Sequence, residues 1–421
     1  MKLTNTHSMT CVDNHLENCA LLVEPLNISI VTETYPPEVN GVASTLARFI
    51  RGLRDLGHHI TLVRPRQGRC DSPVTQGHFQ EILTQGIPIP GYSSLKVGLP
   101  RRGMLLQQWS VNRPDLVHIV TEGPLGWSAL EAARKLGIPI CSDFRTNFDA
   151  YSSHYGLSWL KSPIQKYMRY FHNRTNFTMV PTQGLKNQLQ NAGFERLRVL
   201  ARGIDTNLFN PSKRSRELRE SWGVKDGEEV VVYVGRLASE KNLLVTVNAF
   251  KAMLAIKPNL KIVWVGDGPQ KSFLELTCPN SIFADIQSGE SLAQYYASGD
   301  IFLFSSLSET FGNVTLEAMA SGLAVLAYDY AAAGQVIQSG VNGMLANYNH
   351  PDSFINQSLE LFKKGPELDV LRKNARQTTL NISWESVTAK LNQNYYELLH
   401  SYPPQEKKMN VLALSEAFIK Q

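Results

Sequence analysis

Ile301-Phe-Leu-Phe-Ser-Ser-Leu-Ser-Glu-Thr-Phe-Gly-Asn-Val-Thr-Leu-Glu-Ala-Met-Ala-Ser-Gly322 runs from an apolar strand through a polar loop into a helix. Four apolar residues in a row, Ile301 to Phe304, suit a strand covered on both faces, as in a parallel sheet flanked by helices. Gly312 allows close backbone approach to a ligand. The amides of Asn313 and Val314 then face an anion from the helix N-terminus. Glu309 lies at the strand end, placed to accept hydrogen bonds from sugar hydroxyls. Glu317, about one turn into the helix, is placed to accept from a ribose diol. Each acid alone is more often a helix-start carboxylate favoured by the helix dipole.

The segments around this stretch repeat the strand-then-helix pattern. Val230 to Val234, Lys261 to Val265 and Ala324 to Ala327 are further apolar strands, each followed by a helical segment. Ligands of open α/β sheets bind at the carboxyl ends of the strands. Tyr233-Val-Gly-Arg-Leu-Ala-Ser-Glu-Lys-Asn242 ends a strand at Gly235 and carries Arg236 and Lys241 toward the next helix. Two cations beside a helix N-terminus make an anion site suited to a diphosphate. Read singly, they are equally solvated loop charges. Together with Gly312 and the two acids, the binding reading gains. Val263-Trp-Val-Gly-Asp-Gly-Pro269 is another strand-end glycine turn, and Gly268 is expected to line the same cleft.

The first half opens in the same way. Asn27 to Thr34 reads as a strand, Val42 to Leu56 as a helix and His59 to Arg64 as the next strand, a βαβ unit that implies a parallel sheet. Leu116 to Val120, Ile138 to Cys141 and Phe177 to Val180 continue it. The chain is therefore expected to be α/β, with two Rossmann-like domains facing a central cleft. The expected boundaries are an extension at 1–26, an N-terminal domain at 27–204, a C-terminal domain at 205–382, and a last helix and tail at 383–421. That helix is expected to pack back on the first domain, and Val411 to Ile419 to form a weak helix.

Composition excludes several classes. With 421 residues, 43% hydrophobic and 19% charged, two ordinary cores are expected. No apolar run reaches the roughly 20 residues of a membrane-spanning helix, and Met1 to Ala20 lacks the apolar region of a signal peptide. Cys11, Cys19, Cys70, Cys141 and Cys278 form no CxxC or Cys/His cluster, so free thiols in the cytoplasm are expected. The formal net charge of +5 fits handling of a diphosphate or contact with an anionic surface; no nucleic-acid partner is expected. No G-x-G-x-x-G follows the first strand, which disfavours a dinucleotide dehydrogenase. No P-loop and no Asp-x-Asp triplet occur.

Gly235-Arg-Leu with Glu240-Lys-Asn, Val265-Gly-Asp-Gly-Pro, and Glu309 eight residues before Glu317 with Phe311-Gly312 between them resemble the retaining family-4 glycosyltransferases of the GT-B fold. The resemblance spans about residues 27 to 400. It implies that Arg236 and Lys241 bind the donor diphosphate, that Glu309 contacts the transferred sugar and that Glu317 contacts the ribose. Gly41, Gly235, Gly268, Phe311, Gly312, Asn313 and Val314 complete the implied donor site. Gly41 belongs to Tyr35-Pro-Pro-Glu-Val-Asn-Gly-Val42, a loop that the resemblance sets beneath the diphosphate. His118 in Asp115-Leu-Val-His118 is implied to lie near the transferred sugar, although a lone histidine in an apolar strand is usually a core residue. Ser142 to Gly156 resembles bacterial mannosyltransferases that use GDP-mannose, which makes Arg145, Thr146, Asn147 and Tyr151 acceptor-side candidates. Leu323-Ala324 and Ala331 to Gln335 depart from the common family pattern and loosen the subfamily assignment.

The implied reaction moves a hexose, with GDP-mannose the leading donor, to a lipid or saccharide acceptor, with neither metal nor cofactor. A UDP-hexose donor, an epimerase and an inactive nucleotide-sugar binder are the alternatives. The basic and aromatic stretch Leu157 to Arg174, with Lys96, Arg101 and Arg102, could rest on the inner face of a membrane. Packing of its Tyr, Met and Phe into the first domain is the other reading.

Overall fold

A computed structural model describes residues 24–38, 40–68, 70–89, 92–145, 161–309 and 311–402. The readings of Met1 to Ala20, Thr146, Asn147, Tyr151 and Val411 to Ile419 lie outside these residues.

The first sheet has eight strands in the order β10-β9-β8-β7-β1-β2-β4-β3. They are β1 (Asn27–Val31), β2 (His59–Pro65), β3 (Thr75–Gln76), β4 (Phe79–Thr84), β7 (Leu116–Ile119), β8 (Ile140–Asp143), β9 (Phe177–Val180) and β10 (Leu197–Val199). A separate hairpin pairs β5 (Gly86–Ile89) with β6 (Tyr92–Gly98). All pairings in the eight-stranded sheet are parallel except β3 with β4. Helices cover the inner strands on both faces, which is why β1, β7, β8 and β9 are almost wholly buried.

The second sheet has the order β13-β12-β11-β14-β15-β16 and is parallel throughout. Its strands are β11 (Val230–Val234), β12 (Lys261–Val265), β13 (Ile282–Phe283), β14 (Ile301–Phe304), β15 (Ala324–Tyr328) and β16 (Met344–Ala346). In each sheet the chain starts in the middle, builds to one side, then returns and builds to the other. The strand order therefore reverses between β1 and β7 in the first sheet and between β11 and β14 in the second. Loops leaving two such strands diverge and open a crevice at their carboxyl ends.

The two sheets are joined twice. Ile204 bridges Ser383, and a Cβ on Gly203 would stand 2.7 Å from Trp384, so the two crossing segments run side by side. Beyond them the Trp384–Ser401 helix returns to the first sheet, where Val387, Leu391, Tyr395 and Leu398 join the core of Ile28, Ile30, Leu46 and Phe49. Ser383 caps this helix by accepting from the Ser386 amide, a contact whose loss typically costs about 1 kcal/mol. Arg48 of the Gly41–Asp55 helix reaches Asp205 at 3.2 Å, a further link across the join.

Candidate active site

The crevice between β11 and β14 gathers most of the donor residues read from the sequence. The loop after β11 carries Gly235, Arg236 and Lys241; the loop after β14 carries Glu309, Phe311 and Gly312. Lys241 Nζ pairs with Glu309 Oε1, and Ser306 Oγ donates to the same oxygen at 2.8 Å. The Tyr330 hydroxyl holds the Glu309 carbonyl at 3.0 Å. Arg236 is not drawn into this pair: its side chain is 69% exposed and lies 3.9 Å from Glu240. The lysine thus faces the acid at the mouth, while the arginine stands in solvent with freedom to swing.

Gly312 adopts φ 90°, ψ 57° as the cap of the Asn313–Ala320 helix and offers no side chain to its first amides. A left-handed cap favours glycine. The Asn313 and Val314 amides therefore open the helix with its positive end free of a capping side chain. Asn313 Oδ1 is buried there without a partner. Phe311 is 1% exposed and anchors the loop in the core. Glu317, one turn on, accepts from the Tyr296 hydroxyl at 2.9 Å. Burial raises its carboxyl to about 7, against the opposing pull of that hydroxyl and of Arg48.

Gly268 has a structural part. A Cβ there would stand 2.4 Å from the Leu237 carbonyl, and Leu237 N donates to Asp267 O at 3.0 Å. The Gly-Asp-Gly turn is a floor on which the Gly235 loop rests.

The opposite wall comes from the first sheet, at the reversal between β1 and β7. Gly41 is the first residue of the Gly41–Asp55 helix, whose cap Asn40 accepts from the Val42 and Ala43 amides at 3.0 and 2.8 Å. Arg202 packs against it: a Cβ on Gly41 would be 3.1 Å from the Arg202 guanidinium. That guanidinium lies 5.8 Å from the Phe311 ring, so it reaches from one domain to the other. Nothing in the sequence around Arg202 marks it as a cleft residue.

His118 does not line the cleft. It is 0% exposed, with Nδ1 2.8 Å from the Tyr395 hydroxyl and Nε2 3.4 Å from Asp143 Oδ2. Its side chain is directed under the returning C-terminal helix, beside Tyr395 and Asp143. Arg145 Nε donates to the same Asp143 oxygen at 2.6 Å. Burial opposes the charge on Asp143, but Arg145 and His118 outweigh it and hold the carboxyl at about 2.

The basic helix Lys161–His172 divides its aromatics. Met168 and Phe171 are buried, whereas Tyr167 and Tyr170 are 40% and 54% exposed and flank Trp127. A surface depression of about 590 Å³ lies along it, lined by Lys166, Tyr167, Arg169, Tyr170, Asn173 and Arg174. Lys96 is tied to the Arg66 and Gln67 carbonyls at 3.0 and 2.6 Å and is not a free surface cation. No helix among the described residues is long and apolar enough to cross a membrane.

Comparison with known proteins agrees with this architecture. Residues 214–378 match the family described as Glycosyl transferases group 1, and residues 39–208 match Glycosyltransferase Family 4. The chain is 30% identical to the sulfoquinovosyl transferase SQD2 of Arabidopsis thaliana, over 97% of this chain and 81% of that protein. It is 32% identical to a GDP-mannose-dependent alpha-mannosyltransferase of Mycolicibacterium smegmatis, over 76% of this chain and 84% of that one. Among solved structures, sucrose-phosphate synthase from Thermosynechococcus elongatus superposes with a TM-score of 0.69 at 16% identity, covering 89% of this chain and 99% of that one. Two facing Rossmann-like domains, both family matches and these relatives together place the chain in glycosyltransferase family 4, as a hexosyltransferase of the GT-B fold that uses a nucleotide sugar.

Proposed function

We propose that the enzyme transfers a hexose to a lipid or saccharide acceptor with retention at the anomeric carbon, and that mannose from GDP-mannose is the first donor to try. The observation that carries the reading is the Lys241–Glu309 pair at the mouth of the β11/β14 crevice, beside the Gly312-capped helix. As the bond to the diphosphate breaks, negative charge builds on the β-phosphate. Lys241, Arg236 brought in from solvent, and the Asn313 and Val314 amides meet that charge. Of these, Lys241 and the two amides are preorganised, and such donors act strongly where water is excluded. Glu309, released from Lys241, accepts from sugar hydroxyls, and Glu317 accepts from the ribose diol. Metal assistance is not part of the scheme.

A UDP-linked hexose is the second reading; the similarity to a sulfoquinovosyl transferase over 97% of the chain supports a transferred sugar other than mannose. The exposed Tyr167 and Tyr170 beside Lys166, Arg169 and Arg174 support a peripheral seat on an anionic membrane face from the cytoplasmic side. A screen of GDP- and UDP-linked hexoses by release of the nucleoside diphosphate, with and without lipid acceptors, tests these choices. Release with GDP-mannose alone among the donors selects the first reading. Release only with UDP-hexoses selects the second, and release from no donor rejects both.

A further inference from the structure

Two arginines on the N-terminal wall of the cleft are short of partners. Arg202 is 6% exposed, and its Nε is buried without a hydrogen bond. Arg145 is also 6% exposed; it gives Nε to Asp143, while its Nη1 is buried and unbonded. A guanidinium stays charged in a protein, and buried charge is ordinarily paired. Burial and the nearby Arg145 lower Arg202 to about 10, which leaves it cationic at neutral pH. Asp143 is the acid in contact with Arg145 and is shared with His118. Glu309 acts on Arg202 from across the cleft but is engaged by Lys241. Two guanidiniums therefore share one carboxylate, whose Oδ2 meets Arg145 and His118 and whose Oδ1 is buried without a hydrogen bond, and the cluster is one negative charge short.

Its place identifies what supplies that charge. Arg202 lies between the N-terminus of the Gly41–Asp55 helix and Phe311. Lys241, Arg236 and the Asn313 amides hold the other wall. Arg202 thus stands on the N-terminal side of the cleft across from Glu309, with Arg145 near it. Planar guanidiniums match carboxylate, sulfonate and phosphate oxygens in paired hydrogen bonds. We propose that Arg145 and Arg202 form an oxyanion subsite, separate from the diphosphate site, for one anionic group carried by the transferred sugar or by the acceptor. This rests on the nucleotide-sugar reading above and adds a charge requirement to its substrate.

Calorimetric titration of inorganic sulfate into the full chain, with and without GDP or UDP, tests it. One saturable sulfate site is expected. Arg202→Gln and Arg145→Gln should each weaken it by about tenfold or more, with nucleoside diphosphate affinity changed by less than about threefold. Competition with the wild-type chain needs no folded variant and locates the source. Displacement of sulfate by glucuronate and not by glucose puts the group on the sugar; displacement by glycerol 3-phosphate and not by glycerol puts it on the acceptor. Either supports the subsite. No saturable sulfate binding, sulfate displaced by none of these, or variants that lose diphosphate affinity in the same proportion as sulfate overturns it. A failed donor reading shows separately, as no diphosphate binding in the wild-type chain.

Discussion

Lys241 and Glu309 are in direct contact across the crevice where β11 and β14 part, each with its side chain 16% exposed. The pair couples the two ends of the donor. In the proposed scheme a diphosphate entering the crevice would compete with Glu309 for the ammonium and free the carboxylate for the sugar.

Lys241→Ala and Arg236→Ala are each expected to lower turnover on the order of 10²-fold, the usual scale for loss of one preorganised donor to developing charge. Circular dichroism should be unchanged, because neither side chain enters the core. Near wild-type rates in both variants, measured with any accepted donor, would place the diphosphate elsewhere.

Activity is expected to survive EDTA. The charge on the departing diphosphate is assigned to Lys241, Arg236 and the helix start at Asn313. Among the described residues no group of three or more His, Cys, Asp or Glu is placed to hold a metal ion. Turnover abolished by chelation and restored by Mg²⁺ or Mn²⁺ would count against the cationic-loop scheme.

The sheet centres were legible in the sequence because buried parallel strands write themselves as unbroken apolar runs. Val230–Val234 and Ile301–Phe304 carry that signal throughout, Lys261–Val265 after its first residue and Phe177–Val180 but for Thr178, and all four are strands. Phe79–Thr84 escaped because it is partly polar, and its place beside β2 comes from pairing. The donor loops were readable because glycines, cations and acids cluster within a few residues of strand ends. The partners of His118 and Arg202 were not readable, for a shared reason. The partner that buries His118 is Tyr395, 277 residues away, and Arg202 meets Gly41 and Phe311 only once both domains are folded. Local sequence holds no record of such contacts.

Nucleotide affinity should rise with pH through neutrality. Glu317 is raised to about 7 by burial, so below that pH it is neutral and a poorer acceptor for a ribose diol. Affinity for the nucleoside diphosphate should climb from pH 6 toward 8, at most about tenfold per pH unit below the pKa, and binding should release a proton. The same shift destabilises the free protein on the alkaline side. A carboxyl whose folded pKa lies above its unfolded value adds stability below about 4.5, and that stability is lost as pH rises through about 7. Glu317→Gln should flatten the affinity profile and lessen the stability slope, of which Glu33, also raised to about 7 by burial, keeps its share. Calorimetry in buffers of different ionisation enthalpy, with thermal melts across the range, measures them; a pH-independent affinity in the wild-type chain would contradict this role for Glu317.

His118→Gln is expected to alter rate without removing an arm of the pH–rate profile. The imidazole is fully buried between Tyr395 and Asp143, so it acts through Asp143 and Arg145 as a positioning residue. A fall in kcat with unchanged profile limits fits that part. Disappearance of the basic or acidic limit would make His118 a proton-transfer group.

The product should keep the anomeric configuration of the donor. An inverting enzyme needs a base on the face opposite the leaving group, to deprotonate the acceptor for a single in-line attack. Among the described residues of the N-terminal wall, the groups able to serve are already committed. His118 is enclosed beneath the C-terminal helix, and Asp143, held at about 2, is bound to Arg145. Glu33, although raised to about 7 by burial, accepts the Leu125 amide at 3.0 Å and so caps the Pro124–Leu136 helix. With no free base on that face among the described residues, attack from the side of the departing diphosphate is the expected route, with the diphosphate itself taking the acceptor proton. Proton NMR of the product from an α-linked glucose- or galactose-type donor decides the matter: a small anomeric coupling means retention. For a mannose product the one-bond carbon–hydrogen coupling is read instead. A β-linked product would overturn the assignment and require a base that these residues do not supply.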